Sequence, residues 1–280
     1  MDEQRQKNLE RIAKLRLMDD DFLSVCMKDN IEGAQLIIRI ILDDDSIVVK
    51  RVEIQKEYKN LSEHSFCFDV YAEDAKGSDI EVEVQRKSDG AVPERAACHS
   101  GVLDANSIPK NEKDYRKKAE TFTIFITEHD VLKGNLPIYH IDRVIMELDE
   151  PFGDKSHIVY VNGAYKGDVS TPLARLVHDL FCTEPDDMHY KELAERARYF
   201  KKDSKGVEAM CEIWEEVRNE GIAEGRAEGR AEGRAEGRAE GKAEDIKSLM
   251  YRKGWSIEDA MDALGIPEGE WNAYRMAVQE

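Results

Sequence analysis

Nothing in these 280 residues stays apolar long enough to cross a bilayer. A spanning helix needs about 20 consecutive apolar residues, and the densest stretch, Leu36 to Leu42, is interrupted by Arg39. The opening MDEQRQKNLERIAKLRLMDDD is charged throughout and lacks the apolar segment of a secretory signal. These absences predict a cytoplasmic protein with no membrane partner. Cysteine is scarce as well. Cys26, Cys67, Cys98, Cys182 and Cys211 are odd in number, widely spread and free of any C-x-x-C pair, which argues against a disulfide framework or a zinc site. Positive charge is the third deficit. With 41 Lys and Arg against 59 Asp and Glu, the net charge is −18, and the basic footprint of an indiscriminate nucleic-acid binder is missing. This excludes tight, metal-free binding to duplex DNA more than it excludes a nuclease. A metal-binding carboxylate cluster is itself negative, and a small basic strip can sit on an acidic body.

What is present supports a real core. Hydrophobic residues make up 41% of the chain and charged ones 36%, enough for one medium domain with an appendage. Three regions separate by composition: a mixed globular part over residues 1–205, a helix and low-complexity linker over 206–244, and a short helical tail over 245–280. In the first, residues 3–16 and 21–42 read as helices, the second carrying Phe22, Val25, Cys26, Ile37, Ile40 and Ile41 at near-helical spacing. The period then changes. SIVVKRVEIQ (46–55), SFCFDVYAE (65–73) and DIEVEVQRK (79–87) are short, β-branched or aromatic, and partly alternating. Asp74-Ala75-Lys76-Gly77 is a turn signal, so the last two form a hairpin. A helix over 92–105, a strand TFTIFITEH (121–129), later strands YHIDRVIMEL and HIVYVN, and helices over 171–182, 189–200 and 205–219 complete the region. The expected fold class is α/β, a mixed sheet flanked by helices, with a C-terminal helical extension.

The linker holds a tetrad repeat, with Gly at 221, 225, 229, 233, 237 and 241 and basic residues at Arg226, Arg230, Arg234, Arg238 and Lys242. If helical, each charge faces its own sign at i+4 and each Gly costs about 1 kcal/mol relative to Ala, which favours a fraying spacer. Small residues every fourth position would also let two such helices approach closely and pair Glu with Arg between chains. Both readings stand on the sequence. In the tail, Ser256 is a candidate N-cap before IEDAMDAL, and Gly265 and Pro267 break the chain before a second short helix. Its acidity speaks for a docking or oligomerisation module rather than a helix-turn-helix reader.

The stretch that can carry chemistry is Phe68-Asp69-Val70, a turn, then Ile80-Glu81-Val82-Glu83-Val84-Gln85-Arg86. Strand alternation puts Glu81, Glu83 and Gln85 on one face and Val82 and Val84 on the other. Asp69 can lie beside Glu83, because directly opposed side chains are only about 5 Å apart. Carboxylates so close repel unless a cation sits between them, and oxygen ligands suit Mg²⁺ or Mn²⁺ rather than zinc. On spacing alone, the same residues also read as the solvated face of an edge hairpin.

Longer phrases discriminate better. RLMDDDFLSVCMKDN, LIIRIIL, FDVYAEDAKGSDIEVEVQR, ERAACHSGVLDAN, TFTIFITEHDVLKGNLPIYHIDR and HIVYVNG occur in this order over about residues 15–200. In these the chain resembles the PD-(D/E)XK nuclease family transposases, the recombination-promoting nucleases of the Rpn type. The resemblance implies an α-β-β-β-α-β core, in agreement with the strand reading. It implies Asp69 as the motif aspartate and Glu83 as the motif glutamate, with the carbonyl of Val84 as a further ligand of Mg²⁺ or Mn²⁺. Gln85 stands where many relatives carry lysine; it can orient water or phosphate but supplies no positive charge. Glu32 is the candidate supporting acid from the first helices. Arg95 and His99, four apart on one helical face, and Arg86 are candidate contacts to DNA phosphate. The implied activity is hydrolysis of DNA phosphodiesters in recombination, mobile-element or foreign-DNA defence settings, by a homo-oligomer assembled through the repeat and tail. The rival readings are a non-catalytic nuclease-fold protein that binds nucleic acid, and an interaction protein in which the acidic face is incidental.

Overall fold

The computed structural model describes residues 3–59 and 65–279. Three helices come first: α1 (Glu3–Lys14), α2 (Asp20–Met27) and α3 (Ile31–Leu42). The single helix expected over 21–42 is thus two. Asp29 takes a left-handed φ of 56°, and Asn30 uses both ends of its amide, donating to the Cys26 carbonyl at 3.1 Å and accepting from the Gly33 N–H at 3.0 Å. One residue therefore closes α2 and caps α3. A Cβ on Gly33 would stand 2.5 Å from that amide, so the absent side chain makes the cap possible.

The chain then lays down β1 (Val49–Lys59), β2 (Ser65–Asp74) and β3 (Asp79–Gln85), crosses over through α4 (Pro93–Asn106) and returns as β4 (Thr121–Thr127). Next come β5 (Ile138–Ile141), the two-residue strands β6 (Val144–Ile145) and β7 (Glu150–Pro151), and β8 (Ser156–Asn162). The main sheet has six strands in the order β1-β2-β3-β4-β8-β5. Its β1-β2-β3 half is antiparallel, β3-β4-β8 is parallel, and β5 runs antiparallel to β8. The run expected as one strand over YHIDRVIMEL divides: its first part joins this sheet, whereas Val144 and Ile145 leave to pair with Pro151 and Glu150.

Alternation along β3 assigns the two faces. Val82, together with Val70 and Ile126, meets Leu23 and Met27 of α2 and Ala34, Ile37 and Ile38 of α3. On the opposite face, Phe125 and Tyr160 pack with Ala91 and with Ala96 of α4. Both faces are covered, as a sheet with parallel central strands requires. Helices α5 (Pro172–Phe181) and α6 (Lys191–Lys202) follow and pack outside α2 and α3.

Helix α7 spans Ser204–Lys253 and takes up the whole tetrad repeat. Of the two readings of that repeat, the helical one is observed. The side chains of Arg230 and Arg238 bond back to the carbonyls of Arg226 and Arg234 at 2.9 and 3.0 Å. A Cβ on Gly225, Gly229, Gly233, Gly237 or Gly241 would meet nothing within 4 Å. The chain divides into two compact units, Met1–Cys211 and Glu212–Glu280. In the second, α8 (Ile257–Ala263) and α9 (Trp271–Gln279) close a small core of Ile246, Ala260, Met261 and Ile266. Ser256 caps α8 through a reciprocal capping box with Asp259. No helix among the described residues is long and apolar enough to cross a membrane.

Candidate functional site

The β2-β3 ladder runs from Glu73–Asp79 to Val70–Val82 and then opens. One step further, side chains replace the main-chain pairing. The Asp69 N–H donates to Glu83 Oε1 at 3.1 Å, and the Val84 N–H donates to Asp69 Oδ2 at 3.0 Å. The strand pair thus splays at the point where two acidic residues sit, and their carboxylates hold the splayed backbone. Asp69 is 6% exposed, and Glu81 and Glu83 are both fully buried. The solvated hairpin face allowed by spacing alone is therefore not what forms. β3 is an interior strand between β2 and β4, and α4 lies across its acidic face.

Three carboxylates out of water raise one another's pKa. Burial pushes Asp69 well above the ordinary carboxylate range, followed in effect by the charges of Glu83 and Asp20. Glu83 is raised by burial and then by Glu81, and Glu81 is raised by burial above all. Each would rather be neutral than charged here, unless a cation is supplied. The residues fit a divalent ion on those grounds. Their donors are hard oxygens, and Glu81 Oε2 is buried with no hydrogen-bond partner among the described residues.

The remaining predicted residues distribute unevenly. Gln85, at the end of β3, donates from Nε2 to Glu83 Oε2 at 3.4 Å, so it reaches the acidic pair. Arg95 stands over it from α4, with Nη2 3.7 Å from Glu83 Oε2 and the side chain 42% exposed. His99 is 2% exposed, which corrects its assignment to a DNA phosphate. Its Nδ1 faces Glu81 Oε1 in a very short contact, and its ring lies among Phe66, Phe68 and Phe125 at centroid distances of 5.5, 5.5 and 5.6 Å. Burial lowers its pKa. Arg86 is exposed but paired, at 2.8 Å with Asp19 and 3.3 Å with Glu128, so a phosphate there competes with two carboxylates. Glu32 lies exposed in the first turn of α3, and no hydrogen bond or ion pair among the described residues joins it to Asp69 or Glu83.

Two contributors escaped the sequence reading. Asp20, at the start of α2, is the acidic neighbour that reaches Asp69, and the Gln55 amide holds its Oδ1 at 3.0 Å. The run Asp19-Asp20-Asp21 at a helix start was the available signal. Glu81 was seen as a face residue but not as a member of the buried set.

A mixed sheet with this strand order, helices on both faces and an acidic pair at its splayed centre defines a PD-(D/E)XK nuclease-like α/β domain. Residues 35–163, a little under half of the chain, match the model of the family described as PD-(D/E)XK nuclease family transposase. No curated protein and no solved structure matches the chain. The family points to a nuclease-like function.

Proposed function

We propose that the chain is a metal-dependent DNA endonuclease that hydrolyses phosphodiester bonds, with Asp69, Glu83 and the Val84 carbonyl holding Mg²⁺ or Mn²⁺. The observation that carries this reading is the buried set of Asp69, Glu81 and Glu83 at the opening of the β2-β3 ladder, a costly arrangement without a cation. A divalent ion there supplies positive charge for the phosphate and lowers the pKa of a bound water. Gln85, placed beside Glu83, orients water or a phosphate oxygen by hydrogen bonding. Arg95, half-exposed above the acidic pair, is the cation best placed to meet an incoming phosphate. Arg86 extends that track if substrate displaces Asp19 or Glu128. A cavity of about 1100 Å³ has Glu128, Asn162 and Lys166 in its wall. Glu128 and Asn162 lie at the carboxyl ends of β4 and β8, the same end of the parallel strands as Gln85, which suits a substrate strand passing the site.

The five free cysteines suit a reducing compartment, the cytoplasm. We assign homo-oligomerisation to the repeat and tail, since the glycine row of α7 leaves open space. Light scattering on the full chain and on a chain lacking 221–280 tests this, the shorter one being the smaller assembly. The activity is tested by nicking of supercoiled plasmid with Mg²⁺ or Mn²⁺, alongside EDTA and the Asp69→Ala and Glu83→Ala proteins. Nicking that disappears in all three controls establishes the reading. No nicking with either metal favours the non-catalytic rival, to which the uncharged Gln85 lends weight, and nicking that survives both substitutions places the site elsewhere.

A further inference from the structure

Behind the acidic pair, Glu81 and His99, which the proposed hydrolysis does not use, gather around the inner side of Glu83. Glu81 and Glu83 are fully buried and His99 is 2% exposed. One potential ligand atom from each lies within 4.8 Å of the others. His99 Nδ1 faces Glu81 Oε1 directly and stands 3.8 Å from Glu83 Oε1. The ring is fixed among three aromatic residues, stacked on Phe68 with 29° between planes and edge-on to Phe66 and Phe125. It therefore has little freedom to seek another partner.

A simple histidine–carboxylate hydrogen bond accounts for only part of this. It satisfies Glu81 Oε1, whereas Glu81 Oε2 is buried without a hydrogen bond of normal geometry among the described residues and has beside it only the Thr123 hydroxyl, from the facing position of β4. A buried polar atom without a partner is costly, and more so when charged. It also leaves Glu83 between two anions, Glu81 on one side and Asp69 on the other. The nearby arginine, Arg95, reaches only the outer oxygen of Glu83, Oε2. The inner oxygen, Oε1, faces the histidine and the Asp69 N–H.

We propose that Glu81, Glu83 and His99 form a second, interior cation site, with Glu83 shared between it and the outer site of Asp69 and Val84. The inference rests on the outer site of the proposed nuclease for the shared role of Glu83, but not for the inner ligands themselves. The ligand set is two carboxylates and one imidazole nitrogen. Imidazole suits Mn²⁺, Fe²⁺ or Zn²⁺, whereas Mg²⁺ and Ca²⁺ prefer all-oxygen surroundings. The inner site therefore takes a transition ion and discriminates against Mg²⁺. Paired cations sharing a carboxylate typically lie about 3.5–4 Å apart, a spacing that one bridging glutamate can span. One divalent ion offsets only two of the three buried carboxylate charges of Asp69, Glu81 and Glu83, which leaves negative charge for a second.

The full-length protein, stripped with EDTA, reloaded with Mn²⁺ and desalted, should hold about two equivalents by elemental analysis, as a two-metal site does. Glu81→Gln and His99→Gln should each hold about one, while Asp69→Asn loses the outer ion and keeps the inner one. With Mg²⁺ in place of Mn²⁺, retention at the inner site should fall at least about tenfold. A single equivalent in the unaltered protein, unchanged in Glu81→Gln and His99→Gln, overturns the inner site and leaves the nuclease reading intact. Two equivalents that survive Asp69→Asn, with nicking undiminished, overturn the outer assignment and leave the inner site standing. If Glu81→Gln or His99→Gln does not fold, electron spin-echo spectroscopy of the Mn²⁺-loaded unaltered protein decides. A ¹⁴N coupling supports the histidine ligand, and its absence refutes it.

Discussion

Among the described residues a buried carboxylate lies beside a histidine in two places, and the two have little else in common. Asp179, at the end of α5, is fully buried and fully employed. Its oxygens accept from the His189 and Tyr190 N–H groups at 2.8 and 2.7 Å and from His178 Nδ1 at 3.1 Å. It ties the start of α6 to α5, and the histidines beside it are exposed. Glu81 is equally buried, yet among the described residues one of its oxygens has no hydrogen bond of normal geometry, and its neighbours include the acids Glu83 and Asp69. One carboxylate is consumed by the backbone it organises; the other remains chemically unspent. A buried acid therefore indicates function only when its hydrogen-bonding capacity is not already used.

The largest expected effect separates the two clusters by activity. Glu83→Ala should lower plasmid nicking at least about a hundredfold by removing a metal ligand. Asp179→Ala should leave nicking per folded molecule unchanged, and an equal loss in both would erase the distinction. Stability should split the other way. Asp179→Ala removes the acceptor of two part-buried N–H groups and should cost about 1–3 kcal/mol in urea unfolding, whereas metal-free Glu83→Gln should unfold no more easily than the unaltered protein, because the substitution removes a buried repulsion.

The pH dependence sharpens the contrast further. Asp69, Glu81 and Glu83 have folded pKa values above their ordinary ones, so the native state binds more protons than the unfolded one. Their contribution is complete below about pH 4, the unfolded carboxylate range, and is lost as pH rises through the folded values. In EDTA the melting temperature should fall between about pH 5 and pH 8, and Mn²⁺ should flatten that slope. A melting temperature that rises over this range in EDTA would falsify the raised pKa values. The smallest effect belongs to Gln85→Lys. A cation directed toward Glu83 Oε2 should raise nicking by about a few-fold, well below the roughly 10²–10⁴ of a positioned proton-transfer group. A drop instead would mean that the amide, not a charge, is what this site uses.

Much of the fold was legible because period and composition agree. The β-branched runs at 49–59, 65–74, 79–85 and 121–127 and the Asp74–Gly77 turn produce the hairpin and the parallel return without any long-range information. The family match and the mixed sheet accord with the sequence resemblance. The break at Asp29-Asn30 was visible in principle, since this pair favours left-handed and capping conformations, but the apolar spacing on either side ran across it. His99 was harder to read. Its helix carries Ala96, Ala97, Cys98, Ser100 and Gly101, small residues that leave no strong apolar stripe to show which side faces the sheet. The approach of Asp20 to Asp69 joins residues 49 positions apart, and no local pattern encodes it.

The tetrads of α7 have one last geometric consequence. Four residues at about 100° each make about 400°, so the glycine of each tetrad sits about 40° further round than the one before and about 6 Å further along. From Gly225 to Gly241 the row turns through about 160°. The glycines are therefore cut into the rod like a screw thread of the same hand as the helix, and a straight rod laid alongside can engage only a short length of it.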